Sequence, residues 1–396
     1  MLKLYKILSV LWLAVLIYGG GLSAQEENFV QRDSLSKVFS DLNDKYGKNI
    51  NTEPYMALEY AAQARQVAER YLDSLDIALS YRNLGRAYFT VRIYYLSMEM
   101  QFKAFEIYSK YDMEEEVALC FVDIAKIYFV QDVSDLSEEY CMKAIKIAEA
   151  NDRLDIKADA LAVLGRIYVI CDEETSIGNM KKAKHIYDSL KLDNQSSGLN
   201  VNIARAYLYF EEPDSAIVLL DYNLKYYNDN PDLEKDIAHT YWVYGEVKEF
   251  LKDYSAAEEY YIDAVDAFTK LKLTHLALLT KLKLAKMQLT VGKSEDALAN
   301  GEKILADAQA EELQHGTEEI LIKHRACEII YKANIKLGNQ SKALQYCERY
   351  ALTGDSVYIL KRKEQFSEFQ VSIENQRQQK ELEMMQITAE KSRLLL

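Results

Sequence analysis

Apolar side chains recur along this chain at helical spacing, in an eleven-residue pattern that returns about every 40 residues. Ala78–Tyr88 reads ALSYRNLGRAY, Ala118–Tyr128 ALCFVDIAKIY, Ala158–Tyr168 ADALAVLGRIY and Ser197–Tyr207 SGLNVNIARAY, with looser copies at Ala238–Lys248 and Leu278–Gln288. The small residue in each copy falls at Gly85, Ala125, Gly165, Ala204, Gly245 and Ala285, and the step between neighbours never varies by more than one position from the mean. A fixed period of that length marks stacked supersecondary units. The fold class follows: all-α, a solenoid of antiparallel helix hairpins.

A second small residue stands twelve positions later, at Ser97, Ser137, Ala216, Ala257 and Ala297, and is shifted by one in the third copy, to Ser176. Small side chains facing each other let two helices cross closely, while Tyr81, Leu84 and Tyr88 and their equivalents fill the space around them. The array predicted by this pattern spans 28–354. Its first hairpin, 28–72, is a degenerate cap, with a helix from Asn28 to Tyr46 ending near Gly47 and a second from Tyr55 to Tyr71. The last unit carries Tyr331 in the small slot. Residues 355–396 contain no Pro or Gly and are rich in Glu, Gln, Lys and Arg, which predicts a long polar helix. Ile359, Phe366, Phe369 and Ile373 leave two readings of it open: a solvated single helix, or a coiled coil that makes a homodimer.

Residues 1–24 read as an export signal rather than as part of the fold. Lys3 and Lys6 precede an apolar run from Ile7 to Ile17, and GGGLSA offers a cleavage site before Gln25; a retained anchor is the other reading. The net charge of -14 argues against nucleic acid, which needs a basic face. The five cysteines raise the question of disulfides in an exported chain. Cys120 with Cys141, and Cys327 with Cys347, fall on facing turns of one hairpin, at positions that suit packed thiols better than bridges. Nothing reads as an enzyme, a cofactor site or a metal site: the five histidines show no HExxH spacing, and no Gly-rich loop lies outside the signal.

The run of a large residue, Leu-Gly, Tyr and then paired small residues on the next helix resembles the tetratricopeptide repeat over about Val38–Tyr350. That resemblance implies a right-handed superhelix whose first helices line a concave, ligand-binding face. The period is longer than the one usual for that repeat, which implies longer helices. The KALQYCERYALTGDS segment followed by a Glu/Gln/Lys helix is also similar to the periplasmic sensor region of tetratricopeptide histidine kinases and regulators of Bacteroidetes-type bacteria. This second resemblance implies a sensory input module with a histidine kinase or regulator as downstream partner, and a membrane span beginning at the three terminal leucines. A structural scaffold for envelope proteins is the alternative.

On the implied concave face, the column just after the small residue reads Arg86, Lys126, Arg166, Arg205, Glu246 and Lys286. Three residues on, it reads Phe89, Phe129, Val169, Leu208, Glu249 and Leu289, and Arg82 and Trp242 extend the face. A basic stripe beside an apolar one suits an extended protein or peptide ligand with carboxylates, because Arg can hold a carboxylate bidentately. Glu246 and Glu249 would then mark where a basic group of the ligand lies. The competing reading is that these cations pair with acids on the adjacent unit and staple the array.

Overall fold

The computed structural model describes residues 24–228, 234–310 and 317–359, and among them every regular element is a helix. The signal segment and most of the C-terminal polar helix lie outside the described residues. Helices α1 (Ala24–Asn49) and α2 (Pro54–Tyr71) form the first hairpin, α3 (Ser74–Thr90) and α4 (Tyr94–Lys110) the second, and α5 (Glu114–Val130) and α6 (Ser134–Ala150) the third. The fourth to sixth are α7 (Leu154–Tyr168) with α8 (Glu173–Ser189), α9 (Asp193–Tyr209) with α10 (Pro213–Asn228), and α11 (Glu234–Phe250) with α12 (Tyr254–Lys270). Next come α13 (Thr274–Thr290) with α14 (Ser294–Ala310), then α15 (Thr317–Lys336) with α16, which is helical over 340–359.

Turn chemistry sets the step. Arg92, Asp112, Asp132, Asp152, Lys191, Glu211, Lys252, Lys272, Gly292 and Gly338 all have left-handed φ values between 54° and 89°. After each, the next N–H reaches back five residues, as in Ile93 to the Tyr88 carbonyl at 2.9 Å and Val133 to that of Tyr128 at 3.0 Å. This closure satisfies the last carbonyls and turns the chain into the next helix. The turns after α1, α2 and α7 lack such a residue, and α7 ends two residues early with Val169 still right-handed at φ -53°. Asp172 donates its N–H four back to Tyr168, and its carboxylate caps α8 at the Thr175 N–H, 3.1 Å. The missing left-handed residue is the physical cause of the one-residue shift that the sequence shows at Ser176.

Within each hairpin the small residues do what their spacing predicts. Ser97, Ser137 and Ser176 donate from Oγ to the carbonyls of Gly85, Ala125 and Gly165 at 2.7, 2.8 and 2.8 Å. A Cβ on Gly165 would lie 2.3 Å from Met180 Cγ and 2.9 Å from the Ser176 carbonyl, so that slot holds only glycine without the helices moving apart. Successive first helices approach each other directly, as in α5 with α7, α9 with α11 and α13 with α15, whereas no two successive second helices pack comparably among the described residues. The array therefore curves towards its first helices. It curves far enough that Lys235 on α11 donates to Asn51 Oδ1 at 3.1 Å, and Lys272 pairs with Glu53 at 3.1 Å, joining the first turn to the sixth hairpin and the turn after it.

Two expectations need correction. Helix α1 does not stop near Gly47 but runs to Asn49, because Gly47 stays out of the left-handed region and Ile50 still donates to the Tyr46 carbonyl at 3.0 Å. Cys120, Cys141 and Cys327 are buried free thiols, and burial pushes the Cys141 thiol up to about 12. Cys347, however, is exposed rather than packed, because among the described residues no helix covers that side of α16.

Candidate ligand-binding groove

The concave columns divide residue by residue between cations tied to acids and cations that are not. Arg82, on α3, donates from Nε to Asp123 Oδ2 on α5 at 3.2 Å, with both side chains largely withdrawn from solvent (13% and 10% exposed). Lys126 lies 3.9 Å from Asp123 and 3.8 Å from Asp159 on α7, and Tyr187 on α8 donates to Asp159 at 2.6 Å. One buried carboxylate thus holds the second hairpin to the third, and a second carries the network into the fourth. Arg205, on α9, donates to Glu246 on α11 at 3.1 Å, and Lys283 on α13 reaches the same carboxylate at 3.2 Å. Stapling is the observed role of Arg82, Lys126 and Arg205.

Arg86, Arg166 and Lys286 are different: among the described residues none of them has a carboxylate within the 4.0 Å of an ion pair. Arg86 is exposed, and its proton is held more firmly than usual by the field of Asp123, opposed by partial desolvation. Beneath it the buried Tyr46 hydroxyl has no hydrogen-bond partner among the described residues, and burial pushes that phenol up to about 12. Arg166 is half-buried, with its guanidinium 4.2 Å from the centre of the Phe129 ring. Desolvation, with the nearby charge of Arg205, pulls it down to about 10, which still leaves it protonated at neutral pH. A guanidinium that has lost water and gained no anion is strengthened by any carboxylate brought to it.

The apolar column is present but uneven. Phe89, Phe129, Val169 and Leu208 are half-buried, with Phe89 against Tyr94 at 5.7 Å between ring centres, whereas Leu289 is buried at 7%. Trp242 is half-buried under the Arg205 guanidinium, 5.1 Å from its ring, and stacks with His239 and edge-on with Phe268. Desolvation, aided by Lys235 and Arg205, brings His239 down to about 3, so it is neutral at physiological pH. Glu246 and Glu249 are not open to a ligand's basic group: Glu246 is held by Arg205 and Lys283, and Glu249 accepts the Tyr261 hydroxyl at 2.7 Å. Among the described residues, no group of three or more His, Cys, Asp or Glu side chains is placed to hold a metal ion. The groups that sequence reasoning misses are Asp123, Asp159 and Lys283; the one available signal is Asp123, a lone acid in the otherwise apolar run FVDIAKIYFV.

No protein-family model matches the sequence, and no curated protein does. Solved structures do share its fold. The Rap protein complexed with Competence and Sporulation Factor is similar at a TM-score of 0.54 and 17% identity, over 82% of this chain and 99% of that one. NprR in complex with its cognate peptide NprX gives 0.51 and 15%, over 78% and 89%. A signal-transduction ATPase with a tetratricopeptide repeat sensor, from Pyrococcus horikoshii, gives 0.52 and 16%, over 86% of this chain and 55% of that one. The fold is thus a tetratricopeptide-like helical repeat array.

Proposed function

We propose that the chain is a non-enzymatic array that binds an extended polypeptide carrying carboxylates along the concave face of the second to fifth hairpins. The observation that carries this reading is the pair of arginines, Arg86 and Arg166, that face the groove without a carboxylate of their own among the described residues. Phe89, Phe129 and Leu208 bury the ligand's apolar side chains beside them. Solved neighbours of the same fold, among them NprR with its cognate peptide, support a peptide as the class of ligand. In this reading the chain is exported to the periplasm after cleavage before Gln25. There it serves as the sensory input of a signalling system, with a histidine kinase or regulator downstream and a homodimer formed through residues 355–396.

The binding claim is tested by titrating labelled ten-residue peptides, one Glu-rich and one Lys-rich but matched in apolar content, into the protein. The Glu-rich peptide should bind saturably and weaken as salt rises, and the Lys-rich peptide should not bind. Equal binding of both, or of neither, contradicts the reading and leaves the envelope scaffold in its place.

A further inference from the structure

The second helices are separated by wedges that must be filled above each first helix. In the third hairpin the filling is aromatic. Tyr140 on α6 packs against Phe102 on α4 and Phe121 and Tyr128 on α5, with ring centres 6.4, 5.5 and 5.7 Å away, and Phe105 lies 5.3 Å from Phe121. Lys143 caps the cluster, its ammonium 4.8 Å from the centre of the Tyr140 ring, and is held there by Glu139 at 2.7 Å.

One hairpin on, the equivalent wedge lies between α6 and α8 above α7, and its large side chains are missing. Helices α6 and α7 follow α4 and α5 in the register that takes Gly85 to Ala125 and Ala125 to Gly165, and α8 falls one position short of it. Phe102 therefore becomes Met142, Phe105 becomes Ile145, Phe121 becomes Leu161 and Tyr140 becomes Asn179. Only Tyr128 keeps its aromatic ring, as Tyr168. What remains is an open pocket of about 460 Å³ with Met142, Leu161, Tyr168 and Asn179 among its walls. Lys182 stands on its rim where Lys143 stands over a ring, but the residue four before it is Gly178 in place of Glu139, and no carboxylate pairs with it among the described residues. Two later wedges are filled: Tyr260 stacks on Tyr244 at 4.6 Å in the sixth hairpin, and Asn300 donates to Gln288 at 2.8 Å in the seventh. Asn179 has no such bond among the described residues.

We propose that this pocket receives an aromatic side chain, tyrosine or phenylalanine, presented by a partner polypeptide. The ring restores the cluster that the neighbouring hairpin builds from its own residues. Lys182 lies over the ring face as Lys143 does over Tyr140. Asn179 supplies a hydrogen bond to a phenol or to the partner's backbone. A free aromatic amino acid fits less well, because its ammonium needs a carboxylate and Glu149, on the rim, is engaged by Lys157 at 2.7 Å. The pocket residues of α7 lie about 140–180° round the helix from Arg166 at roughly 3.6 residues per turn, so this site does not depend on the concave groove.

The test uses the whole protein and three probes followed by ligand-observed NMR: N-acetyl-tyrosinamide, N-acetyl-leucinamide, and a blocked five-residue peptide with a central tyrosine. The tyrosine probes should bind and the leucine probe should not, with the peptide at least tenfold tighter than the single residue. Asn179→Tyr, which refills the wedge, should abolish binding and raise the melting temperature. Lys182→Met, a surface change, should weaken binding about fivefold with an unchanged melting temperature. Equal binding of leucine and tyrosine probes, or persistence in Asn179→Tyr with a native melting curve, overturns the proposal. Free tyrosine binding as tightly as the peptide overturns the polypeptide partner and makes the pocket a small-molecule site.

Discussion

The second to fourth hairpins and the fifth to seventh present the same basic column and use it differently. In the first set a buried acid on the groove floor, Asp123, takes up Arg82 and Lys126 and leaves Arg86 and Arg166 facing the groove without ion pairs among the described residues. In the second set the acid stands in the column itself, at Glu246, and ties up Arg205 and Lys283, so that Lys286 is the column cation left without an ion pair there among the described residues. One carboxylate moved from beneath the column into it converts a ligand-facing surface into an internal staple. The difference also separates stability from binding, because removing one partner of a withdrawn ion pair leaves the other charge uncompensated, whereas a cation with no partner has no such cost.

Replacing Asp123 by Ala should therefore have the largest effect on folding, a loss of about 3–5 kcal/mol in chemical denaturation, since it strands the withdrawn Arg82 and leaves Lys126 with Asp159 alone. A loss below about 1 kcal/mol, the range of an exposed pair, would mean that the floor network is no staple. In the other half, His239 is held neutral by burial, with a folded-state pKa near 3 against 6.5 unfolded. The unfolded chain binds the proton first, so this contribution to stability is present above pH 6.5 and is lost as pH falls towards 3. Between pH 7 and 5 it amounts to about 2 kcal/mol, and His239→Phe should remove that much of the slope when both proteins are melted at the two pH values. An identical slope in the variant contradicts the burial argument. Smallest is Glu246→Gln, which frees Arg205 and Lys283 and should raise affinity for a Glu-rich peptide by about 1 kcal/mol, or several-fold. An unchanged or weaker affinity would show that the far half of the groove takes no part.

The repeat is legible in the sequence because the constraint behind it is steric and periodic: a Gly or Ala at each crossing cannot drift without parting the helices. The shift at Ser176 is equally visible, but its cause is not, since the missing left-handed residue after Tyr168 is a backbone choice that Val169, Ile170 and Cys171 do not announce. Gly47 misleads because glycine ends a helix only when the chain uses its left-handed freedom. The basic column follows from the helical spacing and lies on one face of the first helices. Which members are paired cannot be read from it, since Arg82 finds Asp123 and Arg205 finds Glu246 only across the stacking of neighbouring hairpins, 41 residues on in each case. The empty wedge at Asn179 needs the register of α8, and so is hidden until the turn before it is known.

The most direct test measures binding and stability together on two variants. Arg86→Ser with Arg166→Ser should lower affinity for the Glu-rich peptide about a hundredfold or more, at about 1.5–3 kcal/mol per charged hydrogen bond, with an unfolding midpoint unchanged from wild type. Arg82→Ser should do the reverse, lowering the midpoint while the protein that remains folded binds as before. If the double variant binds normally, or if it loses as much stability as Arg82→Ser, the division of the column into ligand-facing and stapling cations is wrong.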